Sequence, residues 1–276
     1  MTKINVTDER LGEFARKQHD WFERVRKGSL NPDLVEDAVQ KIINTAPRGR
    51  FANEEVASNY GYPKGYAVKS LVIQIAVIME HFGLKGSDAL VYAENLPDLP
   101  EGAEGWFAVP RWQVVADTYG EAIELALEKI SSTRKFYNYR EGKLGKKYLR
   151  EGKLSAKAME EIAKTQKGDI LIIPAQFGLK HRGKSTRRAR ETFIAGEFGL
   201  GAFAVGCMIL THPERLIKWE QLHIDCAGDE YPPEAGGDFS SAPIFCFCGG
   251  EVEFGARWYD IAYADYGSVS AFLSQF

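Results

Sequence analysis

The spacing of apolar residues changes part-way along the chain. Up to about residue 165 they recur mainly every three or four positions, which is the period of a helix with one buried face. After Lys167 they form short runs bounded by glycine and proline, a pattern typical of strands. Helices that precede strands, instead of alternating with them, indicate an α+β protein. The sequence therefore predicts an α+β fold with a helical N-terminal part and a mainly antiparallel β C-terminal part.

Turn and cap residues divide this pattern into elements. Asn31, Ser155 and the Thr118-x-x-Glu121 capping box mark helix starts. The predicted helices are 7–28, 32–44, a short one from Asn53, 67–82 (buried nearly all round), 118–132 and 155–165. The predicted strands are 106–109, 169–174, 201–211, and a hairpin of 243–248 and 251–256 around Gly249-Gly250. A Pro/Gly-rich stretch before residue 106 suggests a mainly helical region over 1–100 and an α+β domain over 101–276.

Composition narrows the class of protein. Hydrophobic residues make up 45% and charged residues 26% of the 276 residues, which are globular values. No apolar run approaches the roughly 18 residues of a membrane-spanning helix, and residues 1–17 lack the apolar core of a signal peptide. Four cysteines without a signal peptide are expected to be reduced thiols. We therefore expect a cytoplasmic protein that does not enter the membrane.

The nearly neutral total charge of −3 conceals a strong segregation. Residues 131–190 contain 17 Lys and Arg against 5 Asp and Glu, a local charge of +12. Residues 191–276 contain 3 Lys and Arg against 13 Asp and Glu, a local charge of −10. Such a layout raises the question of which partner meets the basic segment.

Several strings resemble a family of uncharacterised bacterial proteins that recurs in genomes assembled from environmental samples. They are GWFAVPRW (105–112), TRKFYNYREGKLGKKYL (133–149), GDILIIPAQFGLKHRG (168–183), LTHPERL (210–216), IDCAGDEY (224–231) and GGEVEFG (249–255). The resemblance implies a bacterial, cytoplasmic origin. It implies no activity and no functional residue.

The basic segment 131–190 predicts binding of RNA or single-stranded nucleic acid. Basic side chains neutralise phosphates, and the interleaved tyrosines can stack on unpaired bases. The candidate contact residues are Arg134, Lys135, Tyr137, Tyr139, Arg140, Lys146, Lys147, Lys180, Arg182, Arg187, Arg188 and Arg190. The alternative interpretation is that these residues pair with acidic residues of the same chain or of a second copy. That alternative predicts a scaffold or assembly protein, with a homo-oligomer held by complementary charged surfaces.

A second set of residues predicts an acid–base or metal-assisted hydrolase. His223 and Asp225 would share one face of a strand, so the carboxylate could orient the imidazole as a base. The candidate catalytic residues are His212, His223, Asp225 and Asp229, and the candidate metal ligands are His223, Cys226, Cys246 and Cys248. Their spacing matches no standard zinc motif, so no cofactor is predicted, with zinc as the alternative. The structural interpretation is that the thiols are buried in a core and the acidic residues lie in a solvated loop.

Overall fold

The chain divides into two units between Asn53 and Glu54. This division is seen in a computed structural model, which describes residues 7–45 and 49–273, with side chains described for 7–39 and 49–273. The first unit contains helices α1 (Asp8–Arg26) and α2 (Pro32–Thr45). Asn31 caps α2 as predicted, because its Oδ1 accepts a hydrogen bond from the backbone N–H of Asp33 at 2.9 Å.

The second unit is α+β, and it begins well before the predicted boundary near residue 100. Its helices are α3 (Leu71–Phe82), α4 (Ser87–Ala93), α5 (Tyr119–Thr133), α6 (Lys153–Thr165), α7 (Thr186–Glu191) and α8 (Ala202–Thr211). Its strands are β1 (Gly105–Pro110), β2 (Phe136–Asn138), β3 (Arg150–Glu151), β4 (Ile170–Gln176), β5 (Glu197–Gly199), β6 (His223–Asp225), β7 (Asp229–Glu230), β8 (Ser241–Cys248), β9 (Glu251–Trp258), β10 (Tyr266–Ser268) and β11 (Ser270–Phe272). Helices α3 and α4 belong to this unit because they pack on β1 and β4.

Three sheets organise the second unit. The strand orders are β1-β4-β11-β5 and β10-β6-β8-β9-β2, with a separate β3-β7 pair. Pairing is antiparallel except for β10 with β6 and β2 with β9. Helix α8 is buried along its whole length and contacts α5, β1 and α3, so it lies at the centre of the hydrophobic core.

Two local predictions are confirmed in detail. In the capping box of α5, Thr118 Oγ1 accepts from the Glu121 N–H, and Glu121 Oε2 accepts from the Thr118 N–H at 2.9 Å. The hairpin of β8 and β9 turns at Gly249 and Gly250, whose φ values are 57° and 87°. Both signals are local, so the surrounding fold has little power to override them.

The predicted strand over 201–211 is wrong, because residues 202–211 form helix α8. A short, wholly apolar run has no polar face that would distinguish a buried helix from a buried strand. Its small residues serve close helix packing instead, since Gly206 faces Ala126 of α5. The N-terminus of α8 receives a carboxylate cap from Asp229, which is distant in sequence.

Three further predictions need correction. Residues 53–61 form no helix, because their backbone bonds to the segment around Gly183; the Val56 N–H donates to the Gly183 carbonyl at 2.7 Å. Helix α3 is not buried all round, since Val72 and Ile73 are 64% and 50% exposed. Helix α6 begins at Lys153 with Gly152 as its N-cap, so Ser155 lies inside the first turn instead of capping it. None of the helices within the described ranges combines the length and apolar content needed to cross a bilayer.

Candidate acid–base site

Two adjoining cavities meet at the start of α6. The first has a volume of about 590 Å³, and its lining includes Trp112, Tyr119 and Phe203. The second has a volume of about 430 Å³ and lies on the side of α7 and β5. Glu151, Ser155 and Gly199 line both cavities. Glu151 therefore lies where a ligand in either cavity could reach it.

The β3–β7 pair brings a second carboxyl group next to Glu151. In this antiparallel pair Glu151 is directly opposite Asp229. Directly opposed residues point to the same face of the sheet, with Cβ atoms about 4.5–5.5 Å apart. Asp229 is fully buried and Glu151 is only partly exposed. Two carboxyl groups are therefore held together away from bulk water.

Asp229 is fixed by hydrogen bonds from two other elements. The Tyr119 hydroxyl donates to Asp229 Oδ1 at 2.9 Å, and the backbone N–H of Ala202 donates to Oδ2 at 2.6 Å. The second bond places the carboxylate at the N-terminus of α8, where the helix dipole favours negative charge. A Cβ atom at Gly201 would overlap both the Tyr119 hydroxyl and the Asp229 carboxyl, so only glycine fits between them.

Both carboxyl groups resist ionisation. Burial raises the pKa of Glu151 from 4.5 to about 7. Burial also raises the pKa of Asp229 from 3.8 to about 7; the Ala202 N–H opposes this increase, and the charge of Glu151 adds to it. Since two neighbouring carboxylates cannot both ionise cheaply, the pair retains one proton near neutral pH. The pKa of Tyr119 is raised well above 10.0 by burial and by Asp229, so its hydroxyl keeps its proton.

This arrangement can donate and accept protons at neutral pH. A carboxyl group with a pKa near 7 is an effective general acid or base, because both of its protonation states are populated. The two hydrogen bonds to Asp229 favour its ionised form. No hydrogen bond to the Glu151 side chain is found among the described residues, and both carboxyl groups have a pKa of about 7, so either group can carry the proton near neutral pH. Strongly shifted carboxyl groups in a cavity are typical of functional sites.

Similarity to known proteins gives no independent guide to this site. No family model, curated protein or solved structure matches the chain significantly. What the cavities can bind or convert therefore follows from their own geometry and charge.

His212, a candidate from the sequence, supports the fold at the end of α8. Its Nε2 accepts a hydrogen bond from the Lys69 backbone N–H at 3.0 Å, and its Nδ1 lies 3.1 Å from the Met208 carbonyl. Burial lowers the pKa of His212 to about 4. Both ring nitrogens of this buried imidazole therefore lie against backbone groups, so neither is available for catalysis.

His223 and Asp225 lie on strand β6, as predicted, but away from the cavities described above. His223 is fully buried between the rings of Trp219 and Tyr266, and burial lowers its pKa to about 4. Asp225 is also fully buried, and its Oδ1 lies 3.6 Å from Arg257 Nε. Burial raises the pKa of Asp225, an effect that Arg257 opposes. Of the four candidate catalytic residues, only Asp229 belongs to the acid–base site.

The candidate metal ligands are three cysteine thiols and one buried imidazole. Cys226 and Cys246 are buried, Cys248 is half-buried, and burial raises the pKa of Cys246 to about 12. Within residues 7–39 and 49–273, no three His, Cys, Asp or Glu side chains are grouped so that they could hold a metal ion. The four residues considered for zinc therefore do not form a metal-binding group among the described residues.

Seven of the twelve candidate nucleic-acid contacts are engaged within the second unit. Arg188, for example, pairs with Glu55 at 2.5 Å and with Glu191 at 2.8 Å. Four arginines donate to backbone carbonyls: Arg134 to Pro213 and Leu216, Arg140 to Ala256, Arg182 to Tyr60, and Arg190 to Ala227 and Asp229. The other two residues pair with carboxylates, Lys180 with Glu197 and Arg187 with Glu54. Most of the positively charged candidate residues therefore bond carbonyls or carboxylates of the same chain.

The other five candidates are exposed, and they are Lys135, Tyr137, Tyr139, Lys146 and Lys147. The rings of Tyr137 and Tyr139 are 51% and 57% exposed, and their centroids lie 4.6 Å apart. The three lysines have no ion-pair partner among the residues that the structure describes. We call these five residues the tyrosine–lysine patch.

Sequence reasoning missed Glu151, Tyr119 and the cavities themselves. Glu151 occurs in a strongly basic stretch, where a single acid looks like ordinary charge balance. Its pKa is raised by burial in the folded protein, where its strand pairs with a segment 78 positions further along the chain. The glycines at 199, 201 and 228 were the one available signal, since close backbone approach is a common reason for glycine in a strand or tight loop.

Proposed function

We propose that this protein is an acid–base hydrolase of small molecules, with Glu151 as the catalytic residue. The observation that carries the proposal is the buried Glu151–Asp229 pair, whose members both have a pKa of about 7 beside a cavity of about 590 Å³. That volume suits a small-molecule substrate, since ligand cavities commonly measure about 300–1,000 Å³.

The proposed reaction moves one proton through the pair. Glu151 starts protonated and donates its proton to the leaving group as the bond to that group breaks. The attacking water forms the new bond to the substrate and releases a proton through the Tyr119 hydroxyl to Asp229. Proton exchange between the cross-strand neighbours Asp229 and Glu151 then restores the starting state. Water is consumed, and no redox partner is needed.

A direct test is to measure the pKa of Glu151 together with activity. We expect the Glu151 carboxyl carbon to titrate near pH 7 by NMR, with the signal identified from its loss in Glu151→Gln. Hydrolysis of p-nitrophenyl esters, glycosides and phosphates should be screened across pH. For the class that is cleaved, Glu151→Gln should lower kcat by about 100-fold or more, because it removes the transferred proton.

The chain contains a matched control, because Glu141 occurs in the same pentapeptide, REGKL, at residues 140–144 and is exposed. Glu141→Gln should leave both the titration of Glu151 and the hydrolysis unchanged. A Glu151 carboxyl that titrates near its ordinary value of 4.5 would refute the proposal, as would equal rates for wild type and Glu151→Gln.

A second candidate function is binding of single-stranded nucleic acid by the tyrosine–lysine patch. The observation that favours it is the combination of two exposed, mutually packed tyrosines with three lysines that lack partners among the described residues. Bases can stack on the rings while the ammonium groups neutralise phosphates. This proposal concerns residues 135–147 only, since the basic residues of 180–190 are engaged within the chain.

Binding should be measured with fluorescent single-stranded RNA and DNA over a salt series starting near 50 mM. Replacing Lys146 and Lys147 with alanine should flatten the dependence of log Kd on log salt by about 1.4 units, because each of the two lost phosphate contacts contributes about 0.7 for a single strand. Replacing Tyr137 and Tyr139 should weaken binding about tenfold at every salt concentration. Lys157→Ala with Lys167→Ala is the control, since both lysines are exposed elsewhere in the basic segment. Undetectable binding at low salt would eliminate this function.

A further inference from the structure

The start of helix α6 has unpaired backbone donors in the second cavity. Helix α6 has 13 residues, and its N-cap, Gly152, provides no side-chain hydrogen bond. The backbone N–H groups of Lys153, Leu154 and Ser155 find no acceptor among the described residues. Together with Gly152, these residues line the second cavity. Free N–H groups and the positive end of the helix dipole make such a terminus attractive to anions.

Ser155 gives an independent indication that a ligand binds here. Only 6% of this residue is exposed, and its hydroxyl has no hydrogen-bond partner in the part of the chain that the structure describes. The hydroxyl oxygen is not among the fully buried atoms without a partner, so it is accessible from the cavities that the residue lines. Because Ser155 lines both cavities, a bound ligand could supply the missing acceptor.

The charges around the second cavity also favour an anion. Those in its lining are Arg150, Glu151, Lys153, Arg190, Glu197 and Glu230. Glu230 Oε2 accepts from Arg150 Nε at 2.6 Å, and Glu230 Oε1 lies 3.7 Å from Arg190 Nη1. Glu197 is neutralised by Lys180, which lies outside the lining, at 2.7 Å. Arg150 and Arg190 share the single charge of Glu230, and Lys153 lacks a partner among the described residues, so positive charge predominates in this lining even when Glu151 is ionised.

From these contacts we infer that the second cavity binds an anionic group of the substrate, a phosphate or a carboxylate, at the N-terminus of α6. Its oxygens accept hydrogen bonds from the N–H groups of Lys153, Leu154 and Ser155 and from the Ser155 hydroxyl. The uncharged part of the substrate lies in the first cavity against Trp112 and Phe203, so the bond to be cleaved lies beside Glu151. This assignment of substrate class rests on the proposed hydrolase function.

The test is an NMR titration of the full chain with inorganic phosphate and, in a separate arm, with acetate. The amide signals of residues 153–155 should shift with a Kd of about 1–10 mM for at least one of the two anions. The tighter-binding anion identifies the class of group. Ser155→Ala and Lys153→Ala should each weaken binding about three- to tenfold, because the first removes the hydroxyl contact and the second removes a positive charge from the lining. Lys157→Ala, an exposed lysine one turn further along α6, is the control and should bind normally.

The inference is overturned if neither anion shifts these amides, or if Ser155→Ala and Lys153→Ala bind as tightly as Lys157→Ala. This result is separable from a failure of the hydrolase proposal, because anion binding requires no turnover. Normal anion binding combined with an ordinary Glu151 pKa would retain the subsite and refute the acid–base chemistry. A Glu151 pKa near 7 without anion binding would retain the chemistry and refute this substrate class.

Discussion

Replacing Gly228 with alanine is expected to lower the free energy of unfolding by about 3–4 kcal/mol, since the new methyl group must overpack a site made of backbone. A Cβ atom at Gly228 would overlap the Gly201 nitrogen and the Leu200 carbonyl carbon, and would lie 2.6 Å from the Gly199 carbonyl oxygen. None of these atoms can rotate away as a side chain does. The melting temperature should fall by about 10 °C, as measured by circular dichroism or calorimetry.

The reason for so large an effect is that Gly228 joins three segments of the site. Its N–H donates to the Leu200 carbonyl at 2.8 Å, and its carbonyl accepts from the Gly152 N–H at 2.7 Å. Any shift that relieves the overlap also displaces Asp229 from the N-terminus of α8. Because the Gly228 carbonyl also holds Gly152, next to Glu151, the same shift should expose Glu151 to water and move its titration towards lower pH in whatever fraction of the variant folds.

Gly255→Ala is the matched control, because Gly255 is also buried, in strand β9, yet has room for a methyl group. A Cβ atom there would meet Ile244 at 3.6 Å, which is an ordinary contact. We expect a change below about 1 kcal/mol for this variant. Equal melting temperatures for Gly228→Ala and Gly255→Ala would mean that the close approach around Gly228 does not contribute to stability.

The fold class was predictable because it depends on local periodicity, whereas the identity of particular elements was not. The capping box at Thr118 and the Gly249-Gly250 turn carry their signals within a few residues, and both are confirmed. Helix α8 carries no such signal: all of its residues are buried, so periodicity is absent, and its cap comes from Asp229. Its helical state is decided by packing against α5 and the sheet, which a local pattern does not contain.

The candidate site illustrates the same limit through a pentapeptide that occurs twice. REGKL at 140–144 is an exposed turn in which Gly142 has a φ of 68° and Leu144 is buried. REGKL at 150–154 forms β3 and the start of α6, with Gly152 at a φ of −64° and Leu154 80% exposed. Identical local sequences thus take different structures, and only one places its glutamate opposite Asp229. Asp229 was predicted as a candidate because it follows His223 and Asp225 closely in the sequence, but its partner depends on tertiary pairing.

At about pH 8, Glu151→Gln is expected to raise the free energy of unfolding by about 2 kcal/mol relative to the wild type. The pKa of Glu151 is about 7 in the folded protein, against 4.5 as its ordinary value, so the folded state binds the proton more tightly than the unfolded state. The stability gained from this protonation is fully present below about pH 4.5 and is lost as pH rises through 7. Complete conversion of the shift would give about 3 kcal/mol, and the partial exposure of Glu151 reduces it.

Glutamine does not ionise, so the variant avoids the cost of a buried charge and should lose its advantage below about pH 5. Denaturant unfolding of wild type, Glu151→Gln and Glu141→Gln at several pH values measures this directly, and Glu141→Gln should follow the wild type throughout. An advantage that is equal at pH 5 and pH 8 would indicate better packing instead of avoided ionisation.

A functional carboxyl group differs from a structural one in the relation between stability and activity. If Glu151 transfers the proton, Glu151→Gln should be more stable than the wild type at pH 8 and should lose hydrolysis. This combination is expected for a residue that is kept for activity at a cost in stability. The pH at which the stability advantage stops growing reports the pKa of Glu151 in the folded protein, so it should coincide with the pH at which wild-type activity titrates. A plateau and an activity midpoint separated by more than about one pH unit would assign the activity to a different group.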